Sequence, residues 1–278
     1  MAISKKSLFR VWQYLILLTL LVAGCIYFAN NREQLAQLKD ADWRLAIPLV
    51  ILSAIANVSA ALGYSALMRS ATQTLSRWLV VKHFIIGRAL TLVAPQGGTA
   101  YRAVAFNTHA NLSYGKYAVT MIAFLWIEML IISALLLICL MATGQVMHNA
   151  SLSIASLLFF ILCLFAKPAM QLAANIIRKS SRIPTRLGIK LSNAVESLHS
   201  LVSNPRTIVE MTFYAVINAM VHASRLIIAF TMFGNSLYFW HALVIILGFK
   251  AVNTFSITPG NLGILEVMAA MSASMLGV

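Results

Sequence analysis

Apolar stretches recur along this chain at residues 11–29, 44–68, 117–142, 150–166 and 207–233, each bounded by polar or charged residues. A helix needs roughly 17–25 such residues to cross a bilayer, and in lipid it must satisfy its backbone donors and acceptors internally. The expected fold is therefore an all-α polytopic membrane protein, a single integral-membrane domain over residues 1–278. Composition agrees: 60% of the residues are hydrophobic and only 10% charged, too few to coat a soluble particle of this size.

The charges that remain set the orientation. Lysine and arginine number 21 against 7 acids, and an excess of this kind marks cytoplasmic loops facing anionic head groups. Lys5, Lys6 and Arg10 precede the first run, which places the N-terminus in the cytoplasm of a cell inner membrane. Within that run Val22-Ala23-Gly24-Cys25 resembles a lipoprotein processing site, but the apolar residues continue to Phe28 and the segment reads as a span. Arg69, Arg77 and Lys82 return the chain inside, and the loop 143–149, with no lysine or arginine, lies outside. Residues 167–206 carry Arg178, Lys179, Arg182, Arg186, Lys190 and Arg206 against Glu196 and read as a basic amphipathic segment on the inner leaflet. Basic residues divided among short loops do not make the single face that binds nucleic acid. Cys25, Cys139 and Cys163 have no disulfide or zinc spacing, the histidines form no metal motif, and no cofactor is implied.

Two apolar segments are broken. Residues 79–112 stop at Pro95-Gln96-Gly97-Gly98, and residues 239–278 stop at Pro259-Gly260-Asn261-Leu262-Gly263. Aligned on the prolines, the first places Arg102 and the second Glu266 at the same distance beyond the break, with the cations Arg88 and Lys250 before it. Proline ends a half-helix by removing a donor, and glycine admits unusual dihedrals and close approach. Irregular backbone at membrane depth survives where it is buried in protein or lines a wet cavity. The loop charges put the two hairpins on opposite faces, so the expectation is a helical bundle with two re-entrant hairpins of opposite orientation, an inverted repeat with a site near the midplane. Tyr214, Asn218, His222 and Arg225 share one face of the last full span, and Glu128 sits near the middle of the third. Ionisable residues at such depth are costly, roughly 2.5 kcal/mol or more for an acid, and mark pathways by default. Glu196 and Glu210 read as surface residues.

Pro259-Gly260-Asn261-Leu262-Gly263-Ile264-Leu265-Glu266 resembles the Pro-Gly-Gly-x-Gly-x-x-Glu signature of the lysylphosphatidylglycerol synthase transmembrane-region family, also called flippase-like domain proteins, with Asn261 at the second glycine. Pro95, Gly97, Gly98 and Arg102 are similar to its first element, and Glu128 falls where its next span carries an acid. The resemblance implies a bundle with re-entrant helices that moves or presents a lipid with a phosphate-containing head group, here without a soluble synthase domain.

The substrate-binding candidates are thus Arg88, Pro95, Gly97, Gly98, Arg102, Glu128, Asn218, His222, Arg225, Pro259, Gly260, Gly263 and Glu266. Arg88 and Arg102 are expected to hold the phosphate, because a guanidinium fork matches its oxygens. Glu128 and Glu266 would orient them, and Arg88, Arg102, Lys250 or Arg225 would in turn neutralise Glu266. The leading reading is an inner-membrane flippase-like protein for an anionic phospholipid or polyprenyl-phosphate-linked lipid in cell-envelope biogenesis. The alternatives are an integral-membrane enzyme subunit, though no catalytic motif is found, and a scaffold beside envelope-lipid or glycan synthesis proteins.

Overall fold

A computed structural model describes residue 22 and residues 39–72, 74–94, 96–145, 150–179 and 204–253. The described residues that lie in regular elements are helical. After a 3-10 turn at Trp43–Leu45, capped by the Asp42 side chain, come α1 (Ala46–Ala71), α2 (Arg77–Val93) and α3 (Gly97–Ala110). They are followed by α4 (Tyr114–Ala142), α5 (Ala150–Lys179), α6 (Pro205–Met232) and α7 (Phe239–Asn253). Three helical segments, Trp43–Ala71, Tyr114–Ala142 and Pro205–Met232, are long and apolar enough to cross a membrane. The run expected to end near residue 166 continues as one helix to Lys179, so the first basic residues of the following segment are helical. The breaks at Pro95, Pro259, Gly260 and Gly263, the carboxylate Glu266, and the first span at 11–29 lie outside the described residues.

Helix boundaries follow local chemistry. Ser76, Ser113 and Asn204 each cap a helix by accepting a backbone N–H with the side chain, and Pro205 follows Asn204 at the first helical position, where its missing donor costs nothing. The helix α1 packs along α6, and the two approach so closely at Gly63 that an added Cβ would come within 3.2 Å of the Tyr214 Cβ. Near the start of α1 and the end of α6 the Asp42 N–H donates to the Met232 carbonyl at 3.0 Å. At the other end Glu210 on α6 pairs with Arg69 at 3.0 Å and with Arg77, tying α6 to the end of α1 and the start of α2. Glu210 is thus a bridging residue rather than a free surface acid.

The short helices α2 and α3, 17 and 14 residues, form a hairpin. Gln96 makes the turn in the left-handed region at φ 58°, an unusual conformation for a side-chain-bearing residue that the hairpin imposes. Across the hairpin a Cβ on Gly98 would lie 1.9 Å from the Gly87 carbonyl oxygen, and one on Gly87 2.9 Å from Arg102 Cγ. The backbones therefore touch directly, which is what the sequence needs glycine for at both positions. The Thr91 hydroxyl donates to the Gly87 carbonyl at 2.9 Å, and His83 Nδ1 lies 2.8 Å from the Tyr101 hydroxyl, linking α2 to α3 again.

Buried apolar side chains collect in two clusters. The first joins α1, α2, α3, α4 and α6 through Tyr64, Leu67, Phe84, Phe106, Phe124 and Met211. Its rings meet at 5.3 Å for Tyr64 with Phe84 and, edge-on, 5.3 Å for Tyr64 with Phe124. The second joins α4, α6 and α7 through Ile132, Leu136, Ala223, Trp240, Leu243 and Ile246. Along α4 the first cluster includes Ile127 and Ile131 and the second begins at Ile132, so Glu128 lies one turn before the point where the two meet.

Candidate functional site

Glu128 is the centre of a polar layer between the two cores. Its Oε1 accepts from Asn218 Nδ2 on α6 at 3.1 Å, and its Oε2 from Lys250 Nζ on α7 at 2.8 Å. The Glu128 side chain is 4% exposed and that of Lys250 17%, so this is a buried ion pair with one additional hydrogen bond to the carboxylate. Asn218 and His222 share a face of α6 with Arg225, whose Nη1 is 3.4 Å from His222 Nδ1. His222 lies in the field of Lys250, Arg225 and Arg88.

Arg88, near the end of α2, has the Glu128 carboxylate and the guanidiniums of Arg102 and Arg225 within electrostatic reach, yet it is solvent-exposed. Arg88 is thus the exposed member of the layer. Gly97 and Gly98 form the first turn of α3, beside the break, and Gly98 brings that turn against α2 next to Arg88. The layer accordingly gathers Arg88, Glu128, Asn218, His222 and Arg225, residues drawn from three helices, with Lys250 from a fourth.

Arg102 belongs to a different environment. It is 6% exposed, within the aromatic core, with its guanidinium carbon 5.0 Å from the Phe84 ring centroid and 5.9 Å from that of Tyr64. Cation–π contacts of this kind contribute about 2 kcal/mol when desolvated. Among the described residues no carboxylate pairs with it. The direct hydrogen bonds to the Glu128 oxygens come from Lys250 and Asn218, while Arg88 lies in the field of the same carboxylate. In the sequence Lys250 reads as a cation before a break and as one of the possible partners of Glu266; its depth in an apolar helix is the signal for its pairing with Glu128.

Long apolar helices enclosing a buried charge layer define a helical integral-membrane protein of several spans. The model of the family described as "Lysylphosphatidylglycerol synthase TM region" matches residues 12–278, essentially the whole chain, and the protein belongs to that family. It is thereby a membrane protein of a lipid-related family, multi-pass in architecture. No curated protein and no solved structure matches the chain.

Proposed function

We propose that the protein binds, and carries between leaflets, an anionic phospholipid or polyprenyl-phosphate-linked lipid through the layer at Glu128. The observation that supports this reading most is a gathering of cations in one layer: Lys250 pairs with Glu128, Arg88 lies in the field of that carboxylate, Arg225 lies in the field of Arg88 and His222, and Arg102 is buried close by without a carboxylate partner among the described residues. Cations gathered at membrane depth suit an anionic occupant, and a phosphate supplies oxygens for guanidinium forks. The exposed side chain of Arg88 would make first contact with that head group. Family membership adds the lipid context.

On this reading the α2–α3 hairpin is re-entrant from the cytoplasmic side of the inner membrane, where Arg69, Arg77 and the N-terminus also lie. Its inverted counterpart spans 239–278, with Pro259, Gly260, Gly263 and Glu266 closing the site from the other side and Pro95 shaping the first break. Envelope-lipid or glycan synthesis proteins are the natural neighbours of such an activity.

Mass spectrometry of co-purifying lipids tests it, comparing the parent with Arg88→Ala, Arg102→Ala and Glu266→Gln at matched folding and yield. Retention of one phosphate-bearing lipid class by the parent and its loss from the variants is the expected outcome. Equal lipid profiles would make these charges structural. Purified protein in liposomes then separates transport, which needs no co-substrate, from chemical alteration of the lipid by an enzyme subunit and from the inertness of a scaffold.

A further inference from the structure

The α2–α3 hairpin brings two histidines together where nothing neutralises them. His83 on α2 is 6% exposed, and its ring centroid lies 5.2 Å from that of His109, an exposed residue in the last turn of α3. Both stand toward the open end of the hairpin, beyond the Gly87–Gly98 contact. Nδ1 of His83 meets the Tyr101 hydroxyl at 2.8 Å, while Nε2 is shielded from solvent and has no hydrogen-bond partner among the described residues. Phe106 closes one side, with ring centroids 5.8 Å apart. Whichever tautomer the neutral ring adopts, the imidazolium carries an N–H on both nitrogens, and the one at Nε2 would be a buried donor without an acceptor.

The charges around this ring have one sign. Lys82 precedes it in the chain, His109 faces it across the hairpin, and Arg102 lies farther along α3 with its guanidinium over the Phe84 ring. Tyr64 of α1 and Tyr117 of α4 stand behind Phe106 as phenols. Glu210 of α6, the carboxylate at this end of the bundle, is held by Arg69 and Arg77, and among the described residues no carboxylate pairs with His83. Burial, reinforced by His109 and Lys82, lowers the His83 pKa from its ordinary value, in a helix that is not one of the three long enough to cross a membrane.

We propose that His83 and His109 form a pH-sensitive latch on the hairpin, closed while His83 is neutral and loosened when it takes up a proton at acidic pH. Undocking α2 from α3 returns His83 to water and to its ordinary titration, so the undocked state binds more protons than the docked one. Docking is therefore at full strength above about pH 6.5, weakens as the pH falls below it, and stops weakening below the depressed value of the docked ring. With both rings charged, repulsion across 5.2 Å adds to the cost of burial. Because α2 also carries Arg88 and α3 Arg102, loosening would displace two head-group candidates; that consequence rests on the proposed lipid function, whereas the pH response does not.

Hydrogen–deuterium exchange of the full chain in detergent tests the latch. It would be read by mass spectrometry from about pH 8 to about pH 5, corrected for the intrinsic pH dependence of exchange, in the parent, His83→Gln and His109→Gln. Glutamine removes each titration and keeps a polar side chain. The expected result is a loss of protection in α2 and α3 of the parent below about pH 6.5, with α1 and α6 little changed; the loss should be absent from His83→Gln and smaller in His109→Gln. A parent whose protection ignores pH, or a loss as large in His83→Gln as in the parent, would overturn the latch. An offset between the two that is the same at every pH would do so as well, since a merely structural histidine gives that pattern. A full parental loss in His109→Gln would overturn the pairing. If His83→Gln does not fold, His109→Gln decides alone, a reduced pH response supporting the latch and an unchanged one overturning it. No lipid is added, so failure here leaves the lipid function standing, and equal lipid profiles in the arginine variants leave the latch standing.

Discussion

Glu128 and Glu210 are both carboxylates on long helices facing cations from other helices, but in opposite surroundings. Glu210 meets Arg69 and Arg77 where its side chain is 27% exposed and each arginine 37%. Glu128 meets Lys250 and Asn218 at 4% exposure, between two hydrophobic clusters. Water and ions compete for the first group and hardly reach the second. The pair with more cations is therefore the weaker contributor, and the one with a single lysine is the one the bundle cannot break cheaply.

The largest effect should come from breaking the buried pair one partner at a time. Glu128→Leu removes the carboxylate that Lys250 and Asn218 both bond and should lower stability by about 3–5 kcal/mol, measured by denaturant unfolding in detergent. Glu128→Leu with Lys250→Met removes both charges and should recover most of that loss while lipid retention stays low. A neutral single variant would mean that Glu128 is hydrated and that the contrast with Glu210 is false. An intermediate effect is expected at the hairpin. Gly98→Ala drives a methyl into the Gly87 carbonyl and should cost about 1–3 kcal/mol. Gly115→Ala, with open space at its Cβ position in α4, should be neutral or stabilise by about 0.5–1 kcal/mol. The smallest change belongs to Glu210→Gln, expected below about 1 kcal/mol and shrinking as salt is raised from low to physiological concentration. A salt-independent loss of several kcal/mol there would place Glu210 in the same class as Glu128.

Much of the helical architecture is legible in the linear pattern, because helices in lipid must satisfy their own backbones and so announce themselves as long apolar runs. The helix break near Gly97 and Gly98 is legible for the same reason: glycines in a greasy segment have a geometric purpose. Partner choice is not. Arg88, Arg102, Arg225 and Lys250 are equivalent cations in one dimension, and which of them reaches Glu128 depends on the rotation and depth of four helices. Glu210 reads as surface because its arginines lie more than a hundred residues away in sequence, at |i−j| values of 141 and 133.

The contact between Gly87 and Gly98 has a mechanical meaning. Most neighbouring helices are cushioned by side chains whose rotamers let one slide on the other, but here main chain bears on main chain. A joint with no compliant lining transmits force instead of absorbing it. A force on α3 would therefore be felt directly by α2, and the described non-helical residues at the ends of the pair are 72, 74–76 and 111–113, among them Asn111 in the left-handed region at φ 50°.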